Sequence, residues 1–160
     1  LCGRLADGTI TWMGGIDYLR DVAVPTMTTA ATAAARPAPR FVAMVPILLA
    51  ASASEGRDAI NSTFSMYGRI PSYRATLDRG GAANPSDVAV VGSQADIEAG
   101  LQAFASVGVT DFVAVVPPDV AEEHFHVEVG QGVLRRLHQA DRFLEARVGQ
   151  DGFLAGLPAH

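Results

Sequence analysis

Lysine is absent from this 160-residue chain, so its twelve Lys/Arg cations are all arginines. They are scattered along the sequence, and the formal net charge is −5. That pattern argues against the clustered basic footprint that binds nucleic acid. Cysteine is almost absent as well: Cys2 stands alone, so no internal disulfide can form and a reducing compartment is permitted. Missing too is any apolar run long enough to span a bilayer. No charged segment followed by an apolar core and a cleavage site opens the sequence, and the expectation is a cytoplasmic protein without membrane contact. The length, with 49% hydrophobic residues, suits one domain that buries most of its apolar surface.

What is present is an α/β rhythm, clearest between Val91 and Val116. Ser93 is placed to cap a helix whose apolar positions Ile97, Leu101, Phe104 and Ala105 share one face. Gly108 sits where such a helix stops in the left-handed conformation. The uninterrupted apolar run Phe112–Val116 then predicts a strand covered on both faces, as in a parallel sheet flanked by helices. Thr9–Met13 and Phe41–Leu49 are further predicted strands, the second bent near Pro46. Between them Ile16, Leu19, Val22 and Ala23 mark a helical face, and the Ala/Thr run after Pro25 resumes it. A helix is expected over 55–67 with Ile60 and Phe64 inward, and a short extra helix from Pro71 to Arg79. The first six residues read as the end of a helix, and Val88–Val91 is short and apolar. Long connections between the strands suit parallel crossovers. Three strands alone leave both sheet edges open.

Four blocks resemble, in the same order, the C-terminal half of luciferase-like flavin- or F420-dependent oxidoreductases. They are GRLADGTITWM (Gly3–Met13), VPTMTTAATAAARPAPR (Val24–Arg40), YGRIPSYRATLDRGG (Tyr67–Gly81) and VGSQADIEAGLQAFASVGVTDFVAV (Val91–Val115). The resemblance covers residues 1–116 and implies an α/β fold: part of a (β/α)8 barrel, its last three parallel strands with their helices. The early strands that carry most of the family's ring contacts, and the glycine-rich loop that holds the cofactor phosphate, have no counterpart in this sequence. Residues 117–160 match nothing in the family. They read as a C-terminal helical extension, with an amphipathic helix at 131–148 formed by Val133, Leu134, Leu137, Ala140, Phe143, Leu144 and Val148.

Barrels of this kind bind their ligands at the C-terminal ends of the strands. With the resemblance, that nominates Trp12, Met13 and Gly14 as cofactor-binding residues, the cofactor being coenzyme F420 or, alternatively, FMN. Tyr67, Tyr73 and Arg74 come from the extra segment near the family's pocket mouth and are nominated for a small-molecule substrate. Arg74 can fork onto an anionic group, or it can simply pair with Asp78 one helical turn on. No residue is a convincing hydride donor or nucleophile; in the family the cofactor does that chemistry. The implied activity is F420- or FMN-dependent hydride transfer with a small organic substrate. A second reading is a non-catalytic subunit, homo-oligomeric through its open sheet edges. A third is a small metal-binding protein: in an extended segment His124, His126 and Glu128 share a face and are of the right type for zinc or iron.

Overall fold

The computed structural model describes residues 1–117 and, beyond them, the backbone of the strands at 128–129, 132–133 and 143–147. Helix α1 (Cys2–Leu5) leads into strand β1 (Gly8–Trp12). Next comes one continuous helical rod: α2 (Ile16–Tyr18), a π-turn at Leu19–Ala23, and α3 (Val24–Ala33). The wide turn directly precedes Pro25, which has no N–H to give to a carbonyl one turn back, so widening the rod lets it continue instead of breaking. Strand β2 (Arg40–Leu49) follows, then α4 (Ala53–Phe64), a 3₁₀ turn at Ser65–Gly68 and α5 (Pro71–Arg79). A second 3₁₀ turn at Pro85–Asp87 leads to β3 (Val90–Gly92), α6 (Gln94–Ser106) and β4 (Asp111–Val115).

The local chemistry anticipated for α6 is all in place. Ser93 Oγ accepts from Asp96 N, the Asp96 carboxylate returns the bond to Ser93 N, and Gly108 turns the chain at φ +97°. The hydrogen bonds from Ser93, its side chain first, hold the Asp96 carboxyl below its ordinary pKa.

Strands β1, β2 and β4 lie side by side and parallel, with Ile10 beside Val42 and Val42 beside Asp111. On one face of this sheet Ala43, Val45, Ile47, Phe112 and Ala114 pack against Leu19, Ile97, Leu101 and Phe104 of the helical layer. Phe104 and Phe112 meet edge to face at 5.4 Å. The register places Ile10, Trp12, Val42, Met44, Val113 and Val115 on the opposite face. Ile10 there is 63% exposed.

Two expectations need correction. The sheet has more than three strands, because Val90–Gly92 pairs parallel with Ile47–Leu49 at the far end of β2. Three residues are too few for a periodic signal, and this strand exists because β2 runs on past its other partners. Nor does the stretch 131–148 form the single amphipathic helix its apolar spacing implied. Glu128–Val129 (β5) and Gly132–Val133 (β6) pair as a small antiparallel ladder, and Phe143–Arg147 (β7) pairs antiparallel with β4. The edge of β4 offers a row of unpaired backbone groups, and satisfying them overrides the helical spacing. The remainder of that expected helix lies outside the described residues.

At the N-terminal ends of the strands the sheet is tied by charge. Arg40 Nε and Nη2 fork onto the two oxygens of Asp111 at 3.1 and 2.7 Å. Thr110 Oγ1 donates to Asp111 at 2.7 Å, and Thr110 Oγ1 also accepts from Phe41 N at 3.0 Å. Arg36 pairs with Asp7 at 2.7 Å. No helix among the described residues is long and apolar enough to cross a membrane.

Candidate functional site

The candidate residues gather at the other end of the sheet, where β1 gives way to the helical rod. Trp12 is the last residue of β1 and points to the sheet face away from the packed helices. Its ring stands edge-on to Phe64 at 5.8 Å and to Tyr67 at 5.3 Å. Tyr67 in turn meets Tyr73 at 5.1 Å. The end of α4 supplies Phe64, the 3₁₀ turn supplies Tyr67, and the first turn of α5 supplies Tyr73. Thus Trp12, nominated for the cofactor, and Tyr67 and Tyr73, nominated for the substrate, form a single aromatic row. Both tyrosines are half-buried. Phe64, expected only as a core residue, is the fourth member; its three-residue spacing from Tyr67 put the two on one helical face.

Two features mark this end of β1. Among the described residues the indole Nε1–H of Trp12 is buried without a hydrogen-bond partner, although a buried indole N–H ordinarily finds one. Met13 follows with φ +61° and no exposed surface, its N–H donating to Met44 O at 3.3 Å. A left-handed non-glycine residue in a core is strained and persists only when its surroundings dictate it. Gly14 completes the turn in tight quarters: a Cβ there would lie 3.0 Å from Thr11 Oγ1. Met13 is therefore placed by its backbone and buried in the core with Leu48, Ile60 and Leu77.

Arg74 takes the alternative the sequence offered. Its Nε donates to Asp78 at 2.8 Å, Nη1 to Ala83 O at 2.7 Å, and Nη2 to Ala82 O. These bonds latch the end of α5 to the loop that follows it, and hold the helix that presents Tyr73.

A cavity of about 530 Å³ lies on the helical side, lined among others by Gly15, Ile16, Arg57, Gly81, Val90 and Asp96. None of the six nominated residues lines it. Its charged groups serve the protein itself: Asp96 caps α6, Asp87 accepts from Ala83 N and Asn84 N, and Arg57 donates to Ser86 O at 2.9 Å. The unpartnered donor and the aromatic walls favour the end of β1 over this cavity. Polar groups placed to fix a ligand decide function more directly than volume, so the β1 end is the stronger site. Among the described residues no three His, Cys, Asp or Glu side chains cluster to hold a metal. His124, His126 and the side chain of Glu128 lie outside the described residues.

No family model and no curated protein matches the sequence. Solved structures do share its fold. One is an F420-dependent secondary alcohol dehydrogenase in complex with an F420–acetone adduct, 12% identical, with a TM-score of 0.56. The match covers 72% of this chain and 38% of that one. Another is a coenzyme F420-dependent tetrahydromethanopterin reductase from Methanopyrus kandleri, 15% identical, with a TM-score of 0.48 over 73% of this chain and 41% of that one. The chain thus spans well under half the length of either. Its parallel strands and covering helices share a fold with part of the dehydrogenase, which agrees with the expected piece of a luciferase-like barrel.

Proposed function

We propose that this chain forms part of a luciferase-like oxidoreductase that uses coenzyme F420, with FMN as the alternative, and a small organic substrate. The observation that supports this reading most is the Trp12 indole, a buried donor without an acceptor at the C-terminal end of a parallel strand. Leaving such a donor unmet costs about 1–3 kcal/mol, which a ligand acceptor would offset. A planar heterocycle bearing ring carbonyls fits these residues, since it offers an acceptor to the indole and a face to the aromatic row. When bound, the cofactor supplies the hydride chemistry.

The chain's own residues bind and orient. Trp12 forms the cofactor side, while Met13 and Gly14, nominated with it, are buried and fix the turn that follows the indole. Tyr67 and Tyr73 offer aromatic edges to an apolar substrate and keep water from it. Arg74, through Asp78, Ala82 and Ala83, holds α5 in place beneath Tyr73. Because the indole nitrogen has no accessible surface, one neighbouring ring has to shift for a ligand to reach it. Of the two rings against the indole, Tyr67, half-buried on a short 3₁₀ turn, is less buried than Phe64 and is the one assigned that movement.

Trp12 is the only tryptophan in the chain, so its fluorescence reports on this site alone. Titration with F420 or FMN, followed by fluorescence and by calorimetry, is expected to saturate at a defined stoichiometry. The absence of saturable heat with both cofactors would sink the proposal.

A further inference from the structure

We propose that Arg74 is a positioning residue that governs access to the Trp12 indole, acting through α5, Tyr73 and Tyr67. The inference rests on the reading of the C-terminal end of β1 as the ligand site, and its test needs no ligand.

The indole Nε1–H is enclosed, and among the described residues it has no acceptor. No group from outside this chain reaches it while the rings stay where they are. Any acceptor has to enter past a part that moves. The strand beneath the indole is fixed by its ladder with β2, and Phe64 ends α4, buried in the core with Ile60 and Leu77. Tyr67 stands instead on the 3₁₀ turn Ser65–Gly68, a turn type with poorer hydrogen-bond geometry than an α-helix. It is the part that can yield.

Tyr73, edge-on at 5.1 Å, backs Tyr67 against the indole. It sits in the first turn of α5, which begins at Pro71 and which no side chain among the described residues caps. Leu77, fully buried, pins the last turn of the same helix to the core. The helix is thus anchored at one end and carries the ring at the other.

Arg74 supplies the missing restraint. Its Nε donates to Asp78 at 2.8 Å, Nη1 to Ala83 O at 2.7 Å, and Nη2 to Ala82 O. The loop bearing those carbonyls is itself held. Asp87 accepts from Ala83 N at 2.9 Å and from Asn84 N at 2.8 Å. Two residues of α4 complete the frame: Asn61 Oδ1 accepts from Ser86 N at 3.1 Å, and Arg57 Nη1 donates to Ser86 O at 2.9 Å. A line of polar contacts therefore runs from α4 through the loop to Arg74, and ring contacts carry it through Tyr73 and Tyr67 to the indole. With this latch shut the indole is closed, and a ligand that binds only the open form has its affinity reduced by the open fraction. Arg74 sets that fraction without touching the ligand.

The test uses the isotopically labelled full chain, whose sole tryptophan gives a single indole N–H signal by NMR. In the parent, exchange of this proton with deuterium should be slow yet insensitive to low urea, the mark of a local opening that exposes little surface. Arg74→Ala should speed it about tenfold, as the charge-assisted bonds of the latch are lost, while the Val45 and Ala114 amides of the sheet stay protected. Arg74→Lys should not restore the parent rate, because an ammonium lacks the guanidinium's fork. Tyr67→Ala should speed exchange at least as much, and Tyr67→Phe, which keeps the ring, should exchange as the parent does. Adding Arg74→Ala to Tyr67→Ala should change nothing further, as for two residues acting in series. An indole proton released only by global unfolding, an unchanged rate in Arg74→Ala, or independent effects of the two substitutions would each overturn the proposal. The expected rates in a chain that binds neither F420 nor FMN would sink the proposed activity and leave Arg74's hold on the indole standing.

Discussion

The two ends of the parallel sheet are built from opposite materials. At the N-terminal ends of β2 and β4, a guanidinium forks onto a carboxylate, a threonine hydroxyl joins them, and the Asp111 side chain is only 12% exposed. The hydrogen bond to Asp111 and its charge hold the Arg40 pKa above its already high ordinary value, so this cation persists at every accessible pH. At the C-terminal end of β1 there is an aromatic row, a donor without an acceptor and a left-handed methionine. One end has its polar groups matched. The other retains strain and an unmet group. In (β/α) folds the first end is where stability is kept and the second is where ligands bind, and this molecule divides its chemistry in the same way.

Breaking the matched end should have the largest effect on stability. Arg40→Ala removes the cation facing a nearly buried carboxylate and should cost about 2 kcal/mol. A urea titration should show a lower midpoint with unchanged slope, and Trp12 fluorescence in the folded baseline should not move. A changed Trp12 spectrum would mean that the two ends are coupled, and the division would fail.

The cap of α6 lies between these extremes. Ser93→Ala should destabilise by about 1 kcal/mol, the usual worth of such a cap. Its partner adds a pH dependence. Asp96 has a folded pKa below its ordinary 3.8, so its contribution is present above that value and disappears as the pH falls through the depressed one. Asp96→Asn should therefore differ from the parent in melting temperature at pH 7 and converge with it in strong acid. A gap that stays constant down to pH 2 would count against the capping role.

Much of this division was legible in the residues, and what was not has physical causes. Ser93, Ile97, Leu101, Phe104, Gly108 and the Phe112 run announced helix, stop and strand because caps and periodicity are local signals. The Arg74–Asp78 pair was legible for the same reason, as neighbours one helical turn apart. The Arg40–Asp111 fork was not, since it joins residues 71 apart that meet only once β2 and β4 are in register. Strand β7 was misread because Val133, Leu137, Phe143 and Leu144 recur at helical spacing, and only the waiting edge of β4 decides otherwise. The nominations of Trp12, Tyr67 and Tyr73 came from family resemblance; their joining into one row, with Phe64 as a member, is tertiary. Nothing local in GTITWMGG signals that the indole N–H has no acceptor.

The smallest expected change in stability is also the sharpest test of the comparison. Trp12→Phe keeps an aromatic ring against Phe64 and Tyr67 and removes the N–H. In an ordinary core the loss of a large ring would cost stability. Here it also removes a buried group that makes no hydrogen bond, and relief of about 1–3 kcal/mol opposes the packing loss. The two should nearly cancel, leaving the midpoint within about 1 kcal/mol of the parent. Cofactor affinity should move the other way, weakening about tenfold as one ligand hydrogen bond disappears. Stability and binding would then separate at this residue, whereas both Arg40→Ala and Ser93→Ala change stability alone. If Trp12→Phe instead lost several kcal/mol while binding F420 as before, the indole would be a core residue like any other, and the C-terminal end of β1 would have no better claim to function than the salt-bridged end opposite.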